Sequence, residues 1–342
     1  MKKTLALGLL LALSLVLLTG CNNKSEEKEN NIKIGMITDV GGINDESFNQ
    51  SAWEGLKKAE KDLGIDVSYI ESNQESDYEQ NMDTFLDQDL DLILAVGYKL
   101  TETVETAAKN NPDKKFAIID GEFSGKIPSN VKNITFKEEE AGYLAGALAA
   151  ISSKNGRIGF IGGMEVPVVD RYKYGFLAGV SDAYKELKVD DFNVQTSYAN
   201  SFTDQAKGKA IANQMINNEA EVIFHAAGPV GNGVFEALKE QDKLGIGVDA
   251  DQNKLAPDTV ISSAVKNLNI ASYNIAKEIC TDTFVGGKTV INSLSNDGVG
   301  LAKYNNKVSS DAVQLVENFK HKIISKDVIV PATKDEYEKY IK

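Results

Sequence analysis

The sequence predicts an α/β protein built as two similar lobes, each a parallel sheet with helices on both faces. Three observations carry this. Short, β-branched apolar runs alternate with amphipathic stretches of helical spacing. Each strand–helix unit takes roughly 20–30 residues, the length a βαβ crossover needs. The alternation also starts afresh near residue 138, so 342 residues hold two successive blocks rather than one long one. A hydrophobic fraction of 42% is enough to give both blocks a packed core.

The first twenty residues stand outside that pattern. Met1-Lys2-Lys3 is a positive start, Leu5 to Leu18 is apolar apart from Gly8 and Ser14, and Leu18-Thr19-Gly20-Cys21 follows. This is the order of a secretory leader, and the apolar run is short for a membrane-spanning helix. The small residues before Cys21 resemble a bacterial lipobox, whose cysteine is acylated and becomes the mature N-terminus. Residues 1–20 are therefore expected to be a lipoprotein signal peptide. Residues 21–31 (CNNKSEEKENN) hold no apolar side chain after Cys21 and are expected to be a flexible tether. Cleavage removes Lys2 and Lys3 and leaves a still more acidic chain. Cys280 is then the one thiol outside the lipidation site, in a helical context that suits a small buried hydrophobe.

In the first block IKIGMITDV (32–40) reads as a buried strand, and SFNQSAWEGLKKAEKDLG (47–64) as a helix stopped by Gly64. Strands follow at 67–72, 90–97 and 115–121, with helices at 78–88 and 101–111, the latter ended by Pro112. In the second block EEEAGYLAGALAAIS is a helix whose small residues suit close packing. Strands at 157–163, 193–199, 221–228, 244–251 and 259–266 alternate with helices at 168–187, 204–218 and 232–241. A helix over 269–284, the stretch LAKYN, a helix from Ser310 to Ile324 and VIVPAT complete the chain.

Charge and composition exclude several classes of function. With 37 Lys+Arg against 50 Asp+Glu, the net charge of −13 argues against a nucleic-acid partner, because phosphate affinity comes from Lys and Arg. Two His and two Cys are too few for most zinc, iron–sulfur or haem sites, so no metal and no cofactor is expected. Gly287-Lys288-Thr289 ends like a phosphate-binding loop, but Asp282 stands where its first glycine belongs. Asp249 to Asn253 starts like a calcium loop, but Lys254 and Val260 replace its glycine and closing glutamate. No G-x-S-x-G occurs, and neither His225 nor His321 has an evident nucleophile beside it, so no catalytic residue is assigned.

Ligands of open α/β sheets sit beyond the carboxyl ends of the strands. That rule selects Asp39 with Gly41-Gly42, Gly97-Tyr98, Asp120-Gly121, Gly162-Gly163, the loop Gly228 to Gly233, and Asp249. Carboxylates at strand ends accept paired hydrogen bonds, which suits the vicinal diol of a sugar. Asp45, just before a helix, reads equally well as a helix cap. The glycine loop brings backbone N–H groups close to a ligand, and the surrounding acids favour a neutral, hydroxyl-rich molecule over a phosphate. Phe48 and Phe202 each open a helical segment at this edge. They are candidates to stack on a planar ring from opposite lobes, or else are ordinary packing residues.

ITDVGGINDESFNQSAWEGL (37–56) resembles the leading motif of the basic membrane protein family of lipoproteins, in its purine nucleoside receptor type. AIIDG (117–121), EAGYLAGALAA (140–150), GFIGGME (159–165), SFTDQAKGK (201–209), GPVGNGVFEALK (228–239), GVDADQ (247–252) and SAVKN (263–267) match in family order. The resemblance spans essentially all of residues 32–342. It implies a type I periplasmic-binding-protein fold, two Rossmann-like lobes with parallel sheets joined by three hinge crossings that close on a ligand. Residues 32–135 plus 262–300 would form the N-terminal lobe, and 136–261 plus 301–342 the C-terminal lobe. It further implies a non-enzymatic, lipid-anchored receptor on the extracytoplasmic face of the cell membrane, held through Cys21. That receptor would pass guanosine, inosine or adenosine to the permease of an ABC importer. By motif position Phe48 and Phe202 would sandwich the purine and Asp120 would hydrogen-bond the base. Asp39, Gly228, Asp249 and Lys266 would hold the ribose and its surroundings, with Ser47 and Asn49 beside Phe48. Lys266 would neutralise neighbouring carboxylates, or else is a surface lysine after a strand. The chain departs from the family pattern at Pro229, at Ala250 and over Val166 to Phe176. Clustered acids also leave open a nucleoside hydrolase, or a receptor for another sugar-containing solute.

Overall fold

The computed structural model describes residues 31–342. Cys21, the leader and the tether up to residue 30 lie outside the described residues. Two six-stranded sheets carry the fold, and each has the strand order of a doubly wound α/β unit. The first contains β1 (Lys33–Ile37), β2 (Asp66–Ile70), β3 (Leu92–Val96), β4 (Phe116–Ile119), β5 (Val131–Phe136) and β11 (Lys288–Asn292), all parallel, in the order β11-β5-β4-β3-β1-β2. The second contains β6 (Arg157–Gly162), β7 (Asn193–Tyr198), β8 (Val222–Ala226), β9 (Leu244–Asp249), β10 (Val260–Lys266) and β12 (Val299–Leu301), in the order β12-β10-β9-β8-β6-β7. Only β12 runs antiparallel.

Central strands such as β3 and β8 are buried at every position, and they are the continuous apolar runs LILAV and VIFHA. A strand covered by helices on both faces needs no polar alternation. The edge strands β2 and β7 are exposed or half-buried at every position and read more mixed. In each sheet the first strand lies between the second and the third. β1 pairs with both β2 and β3, and β6 with both β7 and β8. That reversal of strand order opens a crevice at the carboxyl ends of β1 and β3, and of β6 and β8.

The helices are α1 (Phe48–Leu63), α2 (Asp77–Leu86), α3 (Thr101–Asn110), α4 (Glu138–Ser152), α5 (Pro167–Leu187), α6 (Gln205–Asn217), α7 (Val230–Glu240), α8 (Leu268–Cys280), α9 (Ser310–Ile324) and α10 (Lys334–Tyr340). Gly64 caps α1 at φ 69°, the left-handed conformation that costs glycine nothing, and its N–H bonds to Glu60 O. The second lobe is centred on α4 against α5, where backbones meet without side chains between them. A Cβ on Gly179 would collide with the carbonyl of Tyr143, and one on Gly146 with that of Phe176. Gly179→Ala is expected to cost about 1–3 kcal/mol by forcing this crossing apart. A lowered denaturant midpoint with an unchanged slope would show it.

The chain passes between lobes three times. It crosses at Lys137 between β5 and α4, at Asn267 between β10 and α8, and between Asn292 and Val299 on the way from β11 to β12. The expected first-lobe segment 262–300 is thereby corrected at both ends. Strand β10 pairs with β9 and β12 as far as Lys266, so residues 262–266 belong to the second sheet, and the second sheet takes up the chain again at Val299. Strand β5 escaped sequence reading because Lys132 and Asn133 interrupt its apolar run. Both are buried and partnered, Lys132 by Glu278 and the Asn133 Nδ2 by the carbonyl of Gly121. Strand β11 escaped because it is an exposed edge. The helix expected over 269–284 stops at Cys280, whose thiol is partly buried and pushed up by that burial.

Candidate functional site

The two crevices face one another across a cleft with about 650 Å³ of free space, part of it open to solvent. Asp39, Phe48, Asn49 and Asp120 line it from the first lobe, and Phe202, Gly228, Asp249 and Lys266 from the second. Every site residue that the family resemblance assigns is thus brought to this cleft except Ser47, whereas Gly42, Gly121, Gly162 and Gly163, which the strand-end rule also selected, do not line it. The Ser47 side chain is fully buried between the lobes, where its Oγ donates to Asp249 Oδ2 at 2.7 Å. Gln252 Nε2 donates to Glu46 O at 3.1 Å, a second hydrogen bond across the divide.

Helix α1 places the first-lobe aromatic. Asp45 accepts from the backbone N–H groups of Ser47, Asn49 and Gln50 at 3.0, 2.8 and 3.0 Å, so the helix-cap reading of Asp45 holds, although it also reaches the cleft wall. Phe48, the first helical residue, is thereby fixed at the cleft. Asn49 Nδ2 donates to Asp39 Oδ1 at 2.7 Å, and Gly41 N to the same oxygen at 2.9 Å. Burial pushes the carboxyls of Asp39 and Asp45 upward, the second to about 6. On the other side Val230 N donates to Phe202 O at 3.2 Å, which ties Phe202 to the loop that Gly228 turns at φ 55°.

Asp120 and Asp249 both end strands with φ 61°, in the left-handed region that aspartate tolerates better than most residues. The turn swings each carboxylate into the cleft. Tyr172 Oη donates to Asp249 Oδ1 at 3.4 Å. Lys266 is 1% exposed, which removes the surface-lysine reading. Its Nζ stands 2.5 Å from Asp120 Oδ2 and 2.7 Å from Glu138 Oε1, and 5.1 Å from the centre of the Phe48 ring. Burial pulls this ammonium down, but Asp120, Glu138 and Asp249 outweigh it and hold it protonated. Arg171 Nε reaches Glu138 Oε2 at 2.6 Å. Burial raises Asp120 to about 6 and Glu138 adds to the rise, against the pull of Lys266. Burial also disfavours the Glu138 anion, but Lys266 and Arg171 overcome that and hold its carboxyl low.

Sequence reasoning missed Glu138, Arg171 and Tyr172, together with the apolar wall of Val166, Val168 and Val169. Glu138 opens a run of three glutamates at a helix start, a pattern that ordinarily faces solvent. The valines and Tyr172 lie in the stretch 166–176 already marked as unusual. His225 is buried without a hydrogen-bond partner on either nitrogen, pushed down to about 4 by burial, and it does not line the cleft. Among the described residues no group of three or more His, Cys, Asp or Glu is placed to hold a metal ion, and no helix is long and apolar enough to cross a membrane.

The family pattern described as "ABC transporter substrate-binding protein PnrA-like" matches residues 32–334. The chain belongs to this family. Basic membrane protein A of Borreliella burgdorferi is 38% identical to this PnrA-like chain, over 98% of each sequence. The ABC transporter nucleoside-binding protein BmpA of Lactococcus lactis is 35% identical, over 97% of this chain and 99% of its own. Among solved structures, an ABC transporter solute-binding protein from Aeropyrum pernix superposes with a TM-score of 0.83 at 29% identity, covering 91% of this chain and 96% of that one. PnrA-like membership makes this chain the substrate-binding component of an ABC transporter, with the two-lobed periplasmic-binding-protein fold.

Proposed function

We propose that the protein captures purine nucleosides between its lobes and delivers them to the permease of an ABC importer, held at the extracytoplasmic face of the membrane through a lipidated Cys21. One observation carries the ligand assignment. Phe48 and Phe202 reach the same cleft from opposite lobes, and carboxylates that accept from hydroxyls stand beside them. A planar base fits between two rings, and a ribose diol fits the carboxylates of Asp39 and Asp249. The Lactococcus relative, named as nucleoside-binding, supports the reading. Binding is physical rather than chemical, so the nucleoside is released intact. A 2′-deoxy ligand leaves a buried acceptor unpaired and binds weaker by about 1–3 kcal/mol.

Calorimetry of the detergent-purified full chain with inosine, guanosine and adenosine tests this. Saturable one-to-one binding, with no free base after long incubation, is the expected result. Binding of free sugars alone would sink the nucleoside reading, and accumulation of free base would convert it to a hydrolase. Loss of the membrane-bound fraction on Cys21→Ala is the expected sign of the anchor.

A further inference from the structure

Asp120 has one oxygen occupied and one free. Lys266 takes Oδ2, while Oδ1 is buried, has no hydrogen-bond partner, and belongs to a residue that lines the cleft. A buried acceptor without a partner is costly, so Oδ1 is the atom a ligand must satisfy. Glu138 contributes nothing to the cleft wall. It stands behind Lys266, shares its ammonium with Asp120, and is itself braced by Arg171.

We propose that Glu138 is a positioning residue for base recognition: by helping to pin Lys266 on Asp120 Oδ2 it leaves Oδ1 to read the base edge alone, so that the proton on that oxygen decides between a 6-oxopurine and a 6-aminopurine. The inference rests on the nucleoside reading above. Unprotonated, Oδ1 is only an acceptor and pairs with the ring N1–H of inosine or guanosine. Adenosine presents a lone pair at N1, which the anion repels. Once protonated, Oδ1 becomes a donor, matches N1 of adenosine and opposes N1–H of inosine. With Oδ2 held by Lys266, the carboxyl group has no second oxygen free to offset the mismatch.

The charged groups facing Asp120 come from three elements: Lys266 at the end of β10, Glu138 at the start of α4, and Arg171 on α5. Burial places the Asp120 carboxyl at about 6, with Glu138 raising it and both cations lowering it. Removing the Glu138 charge therefore lowers the pH at which preference changes, and removing the Arg171 charge raises it. Asp39, Asp45 and Asp249 also titrate at the cleft. They sit by the helix start and the proposed ribose side, and so affect both nucleosides alike and cancel in the ratio of the two affinities.

The test is calorimetry of the full chain with inosine and with adenosine from about pH 5 to about pH 8. Inosine affinity should fall and adenosine affinity rise as the pH drops through an inflection near that carboxyl, so that their ratio falls by up to about tenfold per pH unit. Glu138→Gln should move the inflection down and Arg171→Gln should move it up, so if one variant does not fold the other still reports a signed shift. Equal loss of affinity for both nucleosides with an unmoved inflection would make Glu138 merely structural and overturn the proposal. Two parallel pH profiles in the unaltered protein would overturn it while leaving the nucleoside reading intact. Failure of both nucleosides to bind at about pH 8 would overturn both.

Discussion

Replacing Phe48 or Phe202 by alanine is expected to weaken purine nucleoside binding by about 10- to 400-fold each. A stacked ring contributes about 0.5–1.5 kcal/mol beyond its buried area, and the lost apolar contact adds about 1–2 kcal/mol. Both side chains are only partly buried and pack at the margin of the main core rather than inside it. The unliganded variants should therefore melt within a few degrees of the unaltered protein. The two measurements must be read together. A variant that melts early while its folded fraction binds normally would make that phenylalanine a packing residue, and the proposed sandwich would fail. A loss confined to binding, equal for inosine and adenosine, is the signature of stacking, because either purine offers the same flat face.

The sheet edges of this protein were legible because buried parallel strands leave a plain record. Runs such as LILAV and VIFHA are almost wholly apolar, His225 being the one polar residue in them, and each is followed by the turn residues that the crevice requires. The acids at the carboxyl ends of β1, β4 and β9, Asp39, Asp120 and Asp249, were legible for the same reason, since the carboxyl ends of the strands are where side chains converge on a ligand. What the sequence hid is polarity that partners satisfy. Lys132 and Asn133 look wrong for a buried strand until Glu278, 146 positions away, and the carbonyl of Gly121, 12 positions away, are brought beside them. Glu138 looks like solvated charge until Lys266 and Arg171 close on it from elsewhere. Ser47 failed in the opposite sense. Its neighbours Phe48 and Asn49 face the cleft, but its own hydroxyl is taken by Asp249 of the other lobe, a pairing across 202 positions that no local pattern encodes. Pairing of this kind is decided by the closure of the lobes, which is why local spacing located the site but not its supporting charges.

Lys266→Met is expected to destabilise the protein by about 3–5 kcal/mol near neutral pH, the largest stability loss of any single change at the cleft. The ammonium lies between Asp120 and Glu138, and all three side chains are almost wholly buried. Methionine fills a similar volume but leaves the carboxylates without the cation that compensates them. Arg171 still holds Glu138, so the unpaired burden falls mainly on Asp120. In the variant the folded-state pKa of Asp120 rises further above its unfolded value, so the penalty is full above that raised pKa and is relieved as pH falls through it. Denaturant melts should therefore show a deficit that is large near pH 7.5 and shrinks toward pH 5.5. The unaltered protein runs the other way at lower pH. Its Glu138 carboxyl is held below the ordinary value, so it stabilises the fold above the unfolded pKa and loses that contribution as pH falls through the folded one. The two stability curves should converge on acidification. A variant as stable as the parent near neutral pH would mean that Asp120 finds a proton or a water without help, and the picture of Lys266 as the cation that holds the cleft's carboxylates in place would fall with it.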